Sequence, residues 1–354
     1  MKDRAYRAAL REIHPEQGLS CPRQISCEPR LSSIPDEQGK NDPLSALVQP
    51  PLPPPELIEL SGSSGGDRAA VEREYLEVGS SCRDTVVEAL GPEWSWNGKK
   101  MLDFGCGAGR LLRHLLPEAE VAEIYGSDLD PRPIEWVRQN LCPPVADART
   151  NGFDPPLDFP SGSLDLVTAF SVFTHLGTNW AEWLLEIRRV LAPEGILIAS
   201  YLDGAFAREM TGIDWDEDGF GMSVFGYATP GMPYVNVAQS EWWLREHWGR
   251  AFEIVSLQPG HVGHGVAVLR PRPGEFTVED LLTEPAEELR YVAARKHQQD
   301  LFRWEAGELR KAYERSLEDL AFSRRLGPLA KLVPTGLRKR VRSHSGDHKG
   351  VPQR

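Results

Sequence analysis

The stretch KKMLDFGCGAGR, residues 99–110, restricts what this chain can fold into more than any other. Met101, Leu102 and Phe104 form a short apolar run, which predicts a buried strand carrying Asp103. Gly105, Cys106, Gly107, Ala108 and Gly109 then turn the chain toward a helix beginning near Arg110. A strand, a glycine-rich turn and a helix make the first βα corner of a doubly wound α/β sheet. Glycine has no Cβ, so a ligand can lie directly on such a backbone.

The dinucleotide fingerprint G-x-G-x-x-G/A does not fit: counted from Gly105 the sixth position is Arg110, and counted from Gly107 it is Leu112. The spacing is D-x-G-x-G-x-G instead, and a carboxylate at Asp103 suits a ligand that carries an ammonium group. This pattern resembles motif I of the class I S-adenosylmethionine-dependent methyltransferases. The resemblance implies a Rossmann-like α/β fold with a seven-stranded mixed sheet, order 3-2-1-4-5-7-6, helices on both faces and a helical C-terminal extension. It implies S-adenosylmethionine as cofactor, held by Asp103, Gly105, Cys106, Gly107 and Gly109. For Cys106, packing by a small side chain competes with a catalytic thiol.

The following segments extend the likeness. A second strand, Val121 to Ser127, ends at Asp128, with Leu129 beside it. A carboxylate can accept two hydroxyl hydrogen bonds, as a ribose diol requires; Asp128 suits this better than Asp130, which reads as the N-cap of a helix from Pro131 to Asn140. A third strand covers Ala146 to Gly152. Many members of the family place Asp-Ala there against the adenine; the Asn151 amide can accept from an amine in the same way, and Asp147 is the alternative in another register. The segment PPLDFPSGSLDLVTAFSVFTHL, residues 155–176, also resembles the family, with a fourth strand at 164–170. Phe170 and Ser171 then sit at its carboxyl end beside the cofactor. A helix at Trp180 to Leu191, a fifth strand at Gly195 to Tyr201, and a final pair, Phe252 to Leu257 and Gly265 to Leu269 with the last antiparallel, complete the pattern. The likeness spans roughly residues 55–270, and its general pattern is similar to bacterial methyltransferases linked to glycan or small-molecule modification.

S-adenosylmethionine brings its own reactive methyl group, so the protein must align an acceptor with the S–CH₃ bond and exclude water. An oxygen acceptor also loses a proton. His175, past the fourth strand, is the first candidate base, with a structural hydrogen bond as its competing role. Asp203 is the second. His261 and His264 lack a carboxylate at ligand spacing, so no metal is expected. An insertion, Leu202 to Val237, contains Asp214, Trp215, Asp216, Phe220, Phe225, Tyr227 and Tyr234; it reads as an acceptor pocket or as a flap packed on itself.

The chain divides into an N-terminal arm with a proline-rich spacer (1–55), the methyltransferase domain (56–273), a helical extension (274–326) and a basic tail (327–354). The run Pro50, Pro51, Leu52, Pro53, Pro54, Pro55 is stiff and extended. Residues 61–66 read as a joint, followed by a helix capped by Asp67 and a second helix over Cys82 to Leu90. Tyr75 is either a lid over the cofactor or a packing residue. A formal net charge of −12 predicts no nucleic-acid partner; the acceptor that the resemblance implies is a small molecule or glycan. No apolar run of membrane-spanning length and no signal-peptide core occur, and five cysteines without C-x-x-C spacing suggest reduced thiols; both point to the cytoplasm. Leu309, Tyr313, Leu317 and Leu320 recur at helical spacing, suiting a partner protein or self-association. Arg338, Lys339, Arg340 and Arg342 could touch an anionic membrane surface, although a solvated tail is the plainer reading. A non-catalytic scaffold on the same fold is the competing function.

Overall fold

The computed structural model describes residues 50–60, 67–226, 235–261 and 264–326. The arm before Pro50, the joint at 61–66, Tyr227, Tyr234 and the basic tail lie outside the described residues.

Seven strands form one sheet: β1 (Lys100–Phe104), β2 (Glu123–Asp128), β3 (Asp147–Thr150), β4 (Leu164–Ala169), β5 (Leu191–Tyr201), β8 (Phe252–His261) and β9 (His264–Pro271). Their order is β3-β2-β1-β4-β5-β9-β8. Because β6 (Met222–Phe225) and β7 (Asn236–Gln239) form a separate ribbon, counting only the strands of the large sheet gives the expected 3-2-1-4-5-7-6. Strands β1 to β5 run parallel, and β9 is antiparallel to both β5 and β8.

Helices cover both faces. Alternating side chains of β1, β4 and β5 feed two cores, as a doubly covered sheet requires. One core joins Leu102, Val167 and Leu197 to Trp183 and Leu184 of α5 (Trp180–Val190) and Leu244 and Trp248 of α7 (Glu241–Ala251). The other joins Met101, Leu166 and Ile198 to Cys82 and Val86 of α2 (Arg68–Leu90) and Ile134 and Val137 of α4 (Pro131–Asn140). Before these lies α1 (Pro55–Glu59), whose Ile58 packs on Val71 and Tyr75.

Local departures from expectation have local causes. Asp67 caps α2 by accepting the Ala70 N–H at 2.9 Å, but α2 runs unbroken to Leu90 rather than stopping and restarting before Cys82. Gly79 within it serves close approach: a Cβ there would stand 2.3 Å from the Arg110 carbonyl oxygen. The helix expected after the glycine turn is a 3₁₀ turn at Leu112–His114 followed by α3 (Leu116–Ala119). Pro117 has no N–H to continue a helix through this point, yet fits the first turn of a new one. The proline run is docked rather than free at its described end, since the Pro50 and Pro51 carbonyls both accept from Arg113.

The insertion holds α6 (Gly204–Thr211) and the β6–β7 ribbon. After the sheet come α8 (Val278–Leu282) and the 38-residue α9 (Leu289–Leu326). Contacts divide the chain into a body that ends at Leu301 and a second unit that starts at Phe302. Within the body, Tyr291 is buried, and Gln298 exchanges two hydrogen bonds with the Val224 backbone, at 2.8 and 2.9 Å. Within the second unit, Phe302, Leu309, Tyr313 and Leu317 are exposed.

Candidate active site

Five parallel strands deliver their carboxyl ends to one edge of the sheet, which is where doubly wound folds bind ligands. The glycine turn leaves β1 there, and each of its glycines is required for a different reason. Gly105 (φ +79°) lies against Val172, whose Cγ2 would be 2.3 Å from an added Cβ. Gly109 (φ +78°) packs against the end of α4, where an added Cβ would be 3.3 Å from Val137 Cγ2 and 2.5 Å from Cδ1 of Leu141, the residue after the helix. Gly107 (φ +51°) has nothing within 4 Å of the corresponding point. The turn is therefore packed at both ends and open at its middle, the shape of a seat.

Around this seat the strand ends bring together most of the predicted residues. Asp128, at the tip of β2, accepts the Gly107 N–H at 2.8 Å and the Asp130 N–H at 2.9 Å. Burial raises its pKa, opposed by those backbone donors. The Leu129 N–H is a third donor to it, which leaves about one of the carboxylate's four acceptor positions for a further donor. Leu129, the next residue, is 53% exposed, leaving an apolar surface beside the acid. Asp130 caps α4 through the Arg132 N–H at 2.9 Å, as its sequence position suggested.

Asp103 is nearly enclosed and accepts the Thr168 hydroxyl at 2.8 Å. Burial pushes its carboxyl up to about 7, with the Thr168 bond and the Arg110 charge pulling the other way. An acid in this state gains from any cation brought near it. Cys106 is buried, its thiol driven well above the ordinary range by burial, and its sulfur fills the space over Gly126. This is the packing role; a thiolate nucleophile needs a lowered pKa.

Asn151 follows β3, one residue beyond the strand. Its N–H binds the Asp128 carbonyl at 3.0 Å, and its Nδ2 donates to the Gly152 carbonyl at 2.8 Å. Its Oδ1 is buried without a donor, an acceptor the protein leaves unused. Asp147 faces elsewhere, paired with Arg149 at 3.1 Å. Phe170 is buried at the end of β4. Ser171 takes a left-handed backbone, φ 57°, and its N–H is held by the Ser200 hydroxyl at 2.7 Å. Strained residues of this kind cost of order 1–3 kcal/mol and cluster where strands end at functional sites.

The two candidate bases differ in placement. His175 Nδ1 lies 2.8 Å from the Val235 carbonyl oxygen, so that nitrogen carries the hydrogen and Nε2 the lone pair in the neutral ring. Burial lowers its pKa, keeping the ring neutral. Asp203 caps α6, accepting the Phe206 N–H at 2.8 Å. His264, weighed from the sequence only as a metal ligand, and Tyr201 also gather at this edge. His264, at the start of β9, lies within electrostatic reach of His175 and Arg110, and burial brings it down to about 4. Tyr201, at the end of β5, is fully buried with its hydroxyl unpartnered. The one available signal for Thr168 was a polar residue inside an otherwise apolar run. Tyr75 is a packing residue: its ring is wholly buried and its hydroxyl donates to the Ala108 carbonyl at 2.9 Å. In the insertion, Trp215 packs edge-on against Phe220 at 5.1 Å and tilted against Phe225 at 5.3 Å, so these aromatics form a small core of their own.

Residues 102–199, from β1 to β5, match the family described as "Methyltransferase domain". That segment is similar to methyltransferase domains. The site has what the expected S-adenosylmethionine would need: an open glycine seat, an acid with spare acceptor capacity, an unused amide oxygen and an enclosed acid that gains from a cation. The chain is 32% identical over 165 residues to malonyl-[acyl-carrier protein] O-methyltransferase of Halorhodospira halophila, covering 43% of this chain and 51% of that protein. It is 33% identical over 89 residues to the mouse 7SK snRNA methylphosphate capping enzyme, covering 24% and 13%. It is 32% identical over 145 residues to human tRNA N(3)-cytidine methyltransferase METTL6, covering 38% and 46%. The chain thus spans about half or less of the length of these relatives.

These relatives correct one expectation. Two of them are named for RNA acceptors, so the exclusion of nucleic acid drawn from a net charge of −12 does not stand. Net charge sums the whole chain, whereas nucleic acid responds to the local field where it docks. Among the described residues, no helix is long and apolar enough to cross a membrane.

Proposed function

We propose that this protein is an S-adenosylmethionine-dependent methyltransferase acting on an oxygen of a small polar acceptor, of the small-molecule or glycan type. The observation that carries the reading is the pairing of Asp128 with Gly107 beneath open space. In this reading Asp103 and the turn Gly105–Cys106–Gly107–Gly109 hold the amino-acid end of the cofactor. Asp128 takes the ribose, and Leu129 and Asn151 take the adenine. Phe170 and Ser171 shape the floor between cofactor and acceptor.

The cofactor supplies an electrophilic methyl group on a sulfonium centre. His175 Nε2 takes the acceptor proton, its ring aimed by the Val235 carbonyl. Asp203, occupied as a helix cap, is the lesser candidate. An oxygen acceptor agrees with the printed name of the bacterial relative, an O-methyltransferase. The described cysteines Cys82, Cys106 and Cys142 are unbridged, which supports a reducing, cytoplasmic setting. The domain limits at 56–273, 274–326 and 327–354 belong to the same reading.

The test has two stages. Calorimetric titration of S-adenosylmethionine into the full chain should show binding, lost in Asp128→Ala and Gly107→Val. Incubation with methyl-labelled cofactor and fractionated extract should then label a small-molecule or glycan fraction. Binding that survives both substitutions sinks the site, and label appearing only in RNA sinks the acceptor class.

A further inference from the structure

We infer that Tyr75 and Arg113 are positioning residues for the glycine turn, and that the segment 50–59 acts on the turn through them. The inference rests on the reading of that turn as the cofactor seat.

The contacts run in one line. Arg113, 7% exposed, donates to the Pro50 carbonyl at 3.0 Å and to the Pro51 carbonyl at 3.5 Å. The same guanidinium lies 5.6 Å from the centre of the Tyr75 ring, over its face. Tyr75 is walled in by Ile58 and Val71. Its hydroxyl, kept protonated by a pKa pushed up to about 12 through burial, donates to the Ala108 carbonyl at 2.9 Å.

The Ala108 carbonyl and the Gly109 N–H are the two ends of one peptide plane. Tyr75 holds the first end, and the Cys106 carbonyl accepts from the second at 2.9 Å. Asp128 holds the neighbouring Gly107 N–H. Glycines at 107 and 109 leave this backbone little intrinsic preference, so its shape is set by the internal Cys106–Gly109 bond and by bonds from outside: the Tyr75 hydroxyl, the Asp128 carboxylate, and the Ser127 carbonyl, which accepts the Gly105 and Cys106 N–H groups at 2.8 and 2.9 Å. Without the phenol the plane loses one of its two anchors, and Gly107 loses its fixed aspect toward the open side. Gly79 brings α2 close enough for this: only a residue without Cβ lets the helix approach the Arg110 carbonyl. The proline segment braces Arg113, Arg113 braces the ring, and the ring braces the seat.

Two variants of the full chain test this. Tyr75→Phe keeps the buried ring and removes one hydroxyl. Arg113→Met keeps a long apolar stem and removes the donors. In Tyr75→Phe, without ligand, amide hydrogen exchange should quicken over residues 104–110 and stay unchanged in β4, which reports global stability. Affinity for S-adenosylmethionine should weaken about fivefold, the loss of one net hydrogen bond. Arg113→Met should quicken exchange over both 50–59 and 104–110, and its effect on affinity should shrink in the Tyr75→Phe background. Unchanged exchange at 104–110 in Tyr75→Phe, or affinity within twofold of wild type, overturns the inference. A wild-type chain that binds no S-adenosylmethionine overturns the seat itself and the cofactor role argued here; the exchange data separate that failure from a failure of the brace.

Discussion

The Asp128 carboxylate and the Gly107 amide form a single hydrogen-bonded unit, 2.8 Å across, that joins the tip of β2 to the turn leaving β1. The acid therefore has two duties: it shapes the turn, and it presents its remaining acceptor position to the open side. Substituting it should damage binding through both. Asp128→Asn retains one acceptor oxygen, whereas Asp128→Ala retains none. Affinity for S-adenosylmethionine should fall roughly tenfold in the first and a hundredfold or more in the second, in line with charged hydrogen bonds worth about 1.5–3 kcal/mol. Calorimetry checks the order, and equal losses would mean that shape, not acceptance, is what Asp128 contributes.

Gly107→Ala separates space from strain. The φ of +51° costs an L-residue about 1–2 kcal/mol, a modest loss of stability. The added methyl meets no protein atom within 4 Å but stands where the cofactor would lie. The variant should fold, melt several degrees lower, and bind S-adenosylmethionine at least fiftyfold more weakly. A variant that binds normally would show that the open side of Gly107 is not the seat.

Asp103→Asn should raise the stability of the unliganded protein at pH 8 while weakening cofactor binding. The sign follows from the raised pKa of about 7. The folded state holds its proton more tightly than an unfolded aspartate near 3.9 does, so stability falls as pH rises through that interval. Removing the ionisable group removes this cost, and the gain over wild type should shrink toward pH 5. Denaturant melts at both pH values check it; a variant less stable at pH 8 than at pH 5, relative to wild type, contradicts it.

His247 predicts the opposite dependence. It is buried between the Leu281 carbonyl, 2.6 Å from Nδ1, and the Tyr291 hydroxyl, 3.2 Å from Nε2. Burial brings its pKa down to about 4. An unfolded histidine binds a proton near 6.5, so folding loses stability as pH falls from about 6.5 toward 4, by about 2 kcal/mol at pH 5. His247→Gln should flatten this part of the curve in urea melts, whatever its effect at pH 8.

For His175 the prediction is kinetic. Its lowered pKa places the acid limb of the kcat profile below the ordinary histidine range, with a flat rate across neutral pH. His175→Gln should lower kcat by about 10²–10⁴ and abolish that limb. An unchanged limb would assign the base elsewhere, with Asp203 next to be tested.

The parts of this protein that were legible in the sequence are those where one residue type answers one local demand. Three glycines with an acid before them marked the turn, Asp67 and Asp130 marked helix starts, and the apolar runs of β1, β4 and β5 marked the centre of the sheet. What escaped depends on contacts between distant segments. The continuity of α2 through Gly79 escaped because the reason for that glycine, the Arg110 carbonyl, lies 31 positions away. The proline run read as a free spacer because its carbonyls find Arg113 only after folding. The expected strand order already set the last strand beside strand five, where Gly265 lies opposite Tyr201, but no local pattern tied His264 to the strand ends. The nucleic-acid expectation erred for a related reason, since a whole-chain sum carries no information about position.

The placement of β9 has a consequence for synthesis on the ribosome. Strand β5 carries Leu197, Ile198 and Ala199, all fully buried, and its outer edge is closed only by residues 265–269 arriving from the far side of the insertion. Until those residues emerge, a nascent chain presents a greasy, unpaired ribbon edge of the kind that recruits other strands. Chains cut short before residue 264 should therefore precipitate or require chaperones, even though every element of the cofactor half has already been translated.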